Sequence, residues 1–92
     1  MLSFEWDPTK AAENLKRHGV SFYEAATVFR DPLSIEVPDP DHSVHEERLL
    51  LIGASERHRL LVVSFTVRGE NRIRIISARR ATPRERRQYE EE

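Results

Sequence analysis

Eight of the twenty residues at positions 68–87 are arginine, in the stretch R-G-E-N-R-I-R-I-I-S-A-R-R-A-T-P-R-E-R-R. Arg72-Ile73-Arg74-Ile75 alternates as a half-buried strand does, and Thr82-Pro83-Arg84-Glu85 carries the marks of a helix start. Arginine on ordered backbone presents a planar fork that grips phosphate at two points, which flexible lysine does less well. The chain has thirteen arginines and two lysines, a bias toward geometry as well as charge. The chemistry this suggests is recognition of a nucleic-acid backbone and stabilisation of charge upon it.

Strand parity selects among these arginines. Arg68 and Arg74 fall on the side opposite Ile73 and Ile75, so both should stand on an open sheet face. Arg79 shares the parity of the two isoleucines and joins that face only if the strand ends or bulges near positions 76–78. Arg72 reads as a solvated charge near a hairpin.

The elements that must hold these groups are legible from periodicity and caps. Leu2, Phe4 and Trp6 alternate with polar residues as a short strand. Asp7-Pro8 then starts a helix over residues 8–17 that buries Ala11, Ala12 and Leu15, and Gly19 ends it. Ser21 to Glu24 reads as a capping box for a second helix burying Phe22, Ala25, Ala26 and Phe29, stopped by Asp31-Pro32. Strands are predicted near residues 33–37, 48–52, 60–67 and 71–78, with a tight turn at Gly69-Glu70. A short helix from Thr82 to about Tyr89 follows. The order β-α-α-β-β-β-β-α predicts an α+β fold, a helical hairpin on one face of a mostly antiparallel sheet. The other face is left polar.

Ninety-two residues make a single domain. Without cysteine there is no disulfide framework, thiol catalysis or thiolate metal site. No apolar run approaches the ~20 residues that span a bilayer, and no secretion signal is legible at the start. A cytoplasmic protein with no membrane association is expected. The net charge of −1 hides a division: positions 1–47 carry four basic and ten acidic residues, whereas positions 48–89 carry eleven basic and three acidic. The local field therefore matters more than the total.

The residues also fall into a pattern. Phe4-x-Trp6-Asp7-x-x-Lys10-x-x-x-Asn14-x-Lys16-x-His18-Gly19-Val20-Ser21-Phe22-x-Glu24-Ala25 resembles the N-terminal signature of BrnT-type toxins. Val28-Phe29-x-Asp31-Pro32, His45-Glu46-x-Arg48, Gly53, Arg74-Ile75-Ile76-Ser77-Ala78-Arg79-x-Ala81 and Glu85-x-x-x-Tyr89 extend the resemblance over nearly the whole chain. It implies a RelE-like fold, an endoribonuclease that arrests translation, and a type II toxin–antitoxin system. It further implies a BrnA-like ribbon-helix-helix antitoxin, with operator DNA bound only through the toxin–antitoxin complex.

Cleaving RNA without a metal needs a base for the 2'-hydroxyl, in-line positioning, stabilisation of the phosphorane and an acid for the 5'-oxygen. Arginine serves the third role and is a poor proton donor, since it stays protonated to high pH. Arg68, Arg74 and Arg79 are therefore the candidates for charge stabilisation. His45, Glu46 and Tyr89 are the candidates for proton movement, His45 having a suitable ordinary titration range. Lys16, Arg48, Arg72 and Arg80 are further candidate phosphate contacts. His42-x-x-His45-Glu46, with Asp39 and Asp41 nearby, lacks the helical spacing of a metal motif, and no metal or other cofactor is expected. A binding module without catalysis is the competing reading. A free-standing DNA reader is disfavoured because the basic helix is too short for a major groove.

Overall fold

The computed structural model describes residues 1–39 and 47–91. The elements come in the expected order: β1 (Ser3–Glu5), α1 (Pro8–His18), α2 (Phe22–Thr27), β2 (Ile35–Pro38), β3 (Leu49–Ala54), β4 (Leu60–Val67), β5 (Arg72–Arg80) and α3 (Pro83–Glu90). Helix starts sit where the spacing predicts. The Asp7 carboxylate accepts from the Thr9 and Lys10 amides, Gly19 closes α1 at φ 68°, and Thr82 and Glu85 form a reciprocal capping box on α3. At α2 the box is half-made: Ser21 accepts from the Glu24 amide, while the Glu24 carboxylate turns to a different partner.

α2 also stops earlier than its apolar stripe suggests. It gives way at Val28–Arg30 to a single 3-10 turn. The Thr27 hydroxyl donates to the Glu24 carbonyl at 2.6 Å, the local side-chain competition that unsettles helical bonding. Val28 drops fully into the core. Gly53 of β3 makes room for it, since a Cβ there would meet Val28, Ser34 and Asp31 at 2.9–3.1 Å.

The strands lie in the order β1-β5-β4-β3-β2. β2 to β5 are antiparallel neighbours, and β1 joins β5 in parallel. The sheet is thus mixed, mostly antiparallel. The hairpin of α1 and α2 covers one face, where Leu51, Leu61, Val63, Phe65, Ile73 and Ile75 meet Val20, Phe22, Ala25 and Val28. Fully burying each such side chain contributes about 1.5–3 kcal/mol. Edge-to-face ring pairs, Phe4 on Phe29 and Phe29 on Phe65, clamp β1 and the 3-10 turn to β4.

Two expectations are corrected. α1 does not bury Leu15 and Ala12, which are exposed; its buried residue is Asn14. The helix lies beside the edge of β5, where a polar amide has backbone groups to satisfy. Nor is the second face wholly polar. Ile52, Leu60 and Val62 form a second apolar cluster with Ile35, Leu50, Ala81 and Tyr89, and α3 reaches across to β3 at this end. Among the described residues, Arg72, Arg74 and Arg79 keep part of their side chains exposed on that face, whereas Ser64 and Thr66 are buried. Among the described residues no helix is long and apolar enough to cross a membrane.

Candidate functional site

β5 meets β4 in two registers. Phe65 lies opposite Ile75, but Ser64 lies opposite Ser77, so Ile76 is an extra residue. One inserted residue shifts the alternation of side chains by one. Ile73, Ile75 and Ala78 therefore all enter the hairpin core. Arg74 and Arg79 both emerge on the second face, opposite Thr66 and Val62. In an unbroken strand two residues five apart would point to opposite sides. The break that Arg79 needed is present, at Ile76.

Asn14 holds the strand beside this bulge. Its Nδ2 donates to the Ala78 carbonyl at 2.8 Å and to the Val20 carbonyl at 3.0 Å, and its Oδ1 accepts from the Ala78 amide at 3.1 Å.

The arginines of the second face are not bare. Glu5 lies opposite Arg74 in β1. Its Oε2 accepts from Arg74 Nη1 at 2.9 Å, and its Oε1 pairs with Arg72 Nε at 3.0 Å. Arg72, expected as a solvated charge, is thus tied to β1. Arg79 forks onto Glu85, with Nη1–Oε1 at 2.8 Å and Nη2–Oε2 at 2.9 Å. The Glu85 carboxylate also accepts from the Thr82 amide at 2.8 Å. The Arg79 guanidinium holds the Glu85 carboxyl at about 2, against the opposing effect of burial and with help from Thr82. Glu85 in turn pushes Arg79 further up. One carboxylate thereby fixes the cap of α3 and Arg79 together.

Arg68 follows β4, its amide donating to the Arg72 carbonyl at 2.9 Å. It borders a groove of about 290 Å³ with Glu47 and Thr66. Thr66, buried and opposite Arg74, keeps a hydroxyl without a hydrogen-bond partner among the described residues. Arg48 stands just before β3, part-buried. Arg80 ends β5 opposite Leu61, so it points away from the face that carries Arg79. Lys16 is exposed on α1, apart from these arginines. His45 and Glu46 lie outside the described residues, as do His42 and Asp41.

Tyr89 takes a place that conflicts with proton donation. Its ring joins the second apolar cluster, and its hydroxyl donates to Asp31 Oδ2 at 2.7 Å. The hydrogen bond to Asp31, with burial, pushes the phenol up to about 12. Asp31 also accepts from the amides of Leu33 and Ala54. Burial works to raise its carboxyl, but these hydrogen bonds outweigh it and hold the group below its ordinary range. The pair pins α3 to the loop after the 3-10 turn. A proton so held is poorly placed for a leaving oxygen at neutral pH.

Sequence reasoning passed over Glu5, Asn14, Glu24 and Asp31. Glu24 is buried and accepts from Ser55 Oγ at 2.7 Å and from Arg59 Nε at 2.9 Å, with a second Arg59 bond. Arg59 also donates to the Gly19 carbonyl at 3.0 Å. Its guanidinium holds the Glu24 carboxyl below its ordinary range despite burial. Glu24 thus ties α2 to the β3–β4 turn. The available signal was in the N-terminal signature, which holds both Asn14, at a position the helix pattern leaves unexplained, and Glu24, which the pattern accounts for only as a capping residue.

A family model described as "Ribonuclease toxin, BrnT, of type II toxin-antitoxin system" matches residues 6–85. Among curated protein sequences no relative matches the chain. The crystal structure of the Brucella abortus ribonuclease toxin BrnT superposes with a TM-score of 0.70 at 23% identity, covering 89% of this chain and 99% of that one. At that identity the likeness shows a shared fold.

Proposed function

The chain belongs to the BrnT family of ribonuclease toxins of type II toxin–antitoxin systems, and we propose that its RNA-cleaving centre is the arginine-bearing part of the second sheet face. The observation that carries this is the bulge at Ile76, which brings Arg74 and Arg79 to one side of β5. Arg68 and Arg72 flank that side, and Arg48 contributes from the start of β3. Arg80 and Lys16 point elsewhere and are left to peripheral contact.

In this reading a 2'-hydroxyl attacks the adjacent phosphorus. A P–O2' bond forms and the P–O5' bond breaks, leaving a 2',3'-cyclic phosphate and a 5'-hydroxyl. The guanidiniums take up the charge growing on the phosphorane oxygens, and no metal is needed for that role. Held by strand backbone, they are positioned before substrate arrives, which lowers the cost of orientation. Two protons must also move, from O2' and to O5'. His45, with Glu46 beside it, is the proposed carrier on the strength of imidazole's titration range. Tyr89 positions α3.

Membership of a type II family implies an antitoxin partner. We propose a BrnA-like ribbon-helix-helix protein that covers the arginine face and α3, with operator DNA engaged only through the complex. The proposed place of action is the cytoplasm, where the RNA is.

The direct test incubates purified protein with RNA in the presence of a chelator. Fragments with 2',3'-cyclic phosphate ends are expected from the wild type, and loss of cleavage from a folded Arg68→Ala/Arg74→Ala variant. Cleavage at the wild-type rate by that variant would move the centre elsewhere. His45→Ala should slow cleavage more than it weakens binding.

A further inference from the structure

A second basic surface adjoins the arginine face. Lys10, Glu13, Arg17 and His18 recur along one stripe of α1 at helical spacing. With Ile76 and Ser77 of β5 they enclose a groove of about 250 Å³. Ser77 lies opposite Ser64, on the side where Arg74 and Arg79 emerge, so the groove opens beside that face at the bulge. β1 covers only Arg72–Arg74 of β5, which leaves this length of the strand to the groove.

The charge state of the groove differs from that of the sheet face. Arg72, Arg74 and Arg79 are each engaged by a carboxylate. The side chains of Lys10, Arg17 and His18 have no ion pair or hydrogen bond among the described residues. Glu13 is the one carboxylate in the lining, and Ile76 the one apolar side chain. Such walls suit a polyanion backbone and offer little to an apolar anchor of a bound helix.

We infer that this groove is a phosphate subsite for the RNA strand, holding a phosphodiester that flanks the one cleaved on the sheet face. The inference rests on the RNA-cleaving reading above. A strand leaving Arg74 and Arg79 passes the bulge and meets Lys10 and Arg17, which contribute affinity without touching the reacting atoms.

The test uses Lys10→Ala/Arg17→Ala and a fully 2'-O-methylated RNA, which binds without being cleaved. Loss of the contacts to this one phosphate should reduce the salt slope of log K by about 0.7 and weaken binding on the order of fivefold at 0.1 M salt. With cleavable RNA, KM should rise while kcat stays within about twofold. Glu13→Gln should tighten binding a few-fold, which a merely structural role for the stripe would not produce. Arg30→Ala, which removes an exposed charge on the 3-10 turn instead, should leave both parameters unchanged. An unchanged slope in the double variant overturns the inference, as does an equal effect of Arg30→Ala. So does a double variant that loses antitoxin affinity while keeping RNA affinity, which would make the groove a protein contact. If the wild type binds the methylated RNA with the expected dependence on Lys10 and Arg17 but fails to cleave ordinary RNA, the subsite stands and the cleavage assignment falls.

Discussion

The carboxamide of Asn14 bonds to both backbone polar groups of Ala78, donating to its carbonyl at 2.8 Å and accepting from its amide at 3.1 Å. It does for β5 what a neighbouring strand would do, past the point where β1 ends. An aliphatic residue cannot replace it, because both Ala78 groups would be buried unpaired. Asn14→Ala should cost ~2–4 kcal/mol, given the penalty of leaving buried polar groups unmade. Asn14→Asp keeps the acceptor but sets a carboxylate against two carbonyls, and should be at least as harmful. Urea midpoints measure both, and a loss under ~1 kcal/mol for either variant would show that water replaces the amide.

Glu5 restrains Arg72 and Arg74 from one carboxylate. An incoming phosphate must compete with it. Glu5→Gln removes that competitor and a repulsive charge, so RNA binding should tighten several-fold at low salt and less at high salt. Weaker binding would instead mean that Glu5 sets the arginine geometry.

The Arg79–Glu85 pair predicts an acid-sensitive α3. The folded carboxyl lies near 2, against an ordinary value of 4.5. A depressed carboxyl stabilises the fold fully above its ordinary value and loses that contribution as pH falls toward 2. With Arg79 partly in water, the amount should be on the order of 1 kcal/mol. Amide exchange in α3 between pH 5 and pH 2 reads it. Arg79→Ala should remove the larger share of the pH-dependent part and leave the share from Thr82, and an identical profile in that variant would assign it to another carboxylate.

Tyr89→Phe removes one hydrogen bond to Asp31 and should cost about 1 kcal/mol of stability. The cleavage rate at pH 7 should change much less than it does in Arg68→Ala/Arg74→Ala. A large loss of kcat with unchanged stability would return the phenol to the proton-moving group.

Local chemistry made much of this protein legible from its residues alone. Asp7-Pro8, Gly19, Ser21 and Thr82-Pro83 marked the helix ends because caps act within a few residues. The alternation at Leu61, Val63, Phe65, Ile73 and Ile75 marked the strands and the face turned to the helices. The arginine cluster, the need for a break before Arg79 and the family signature were legible in the same way. Tertiary structure decided what depends on distant partners. Glu5 meets Arg74 across 69 positions and Tyr89 meets Asp31 across 58, and no local period encodes either meeting. Leu15 looked like core until α1 was set beside β5, where Asn14 is buried on the backbone of Ala78 instead and unpaired backbone outranks apolar area. Which arginines carry a carboxylate, and which cations of α1 do not, follows from chain packing, because a charge takes its partner from whatever the fold brings within reach.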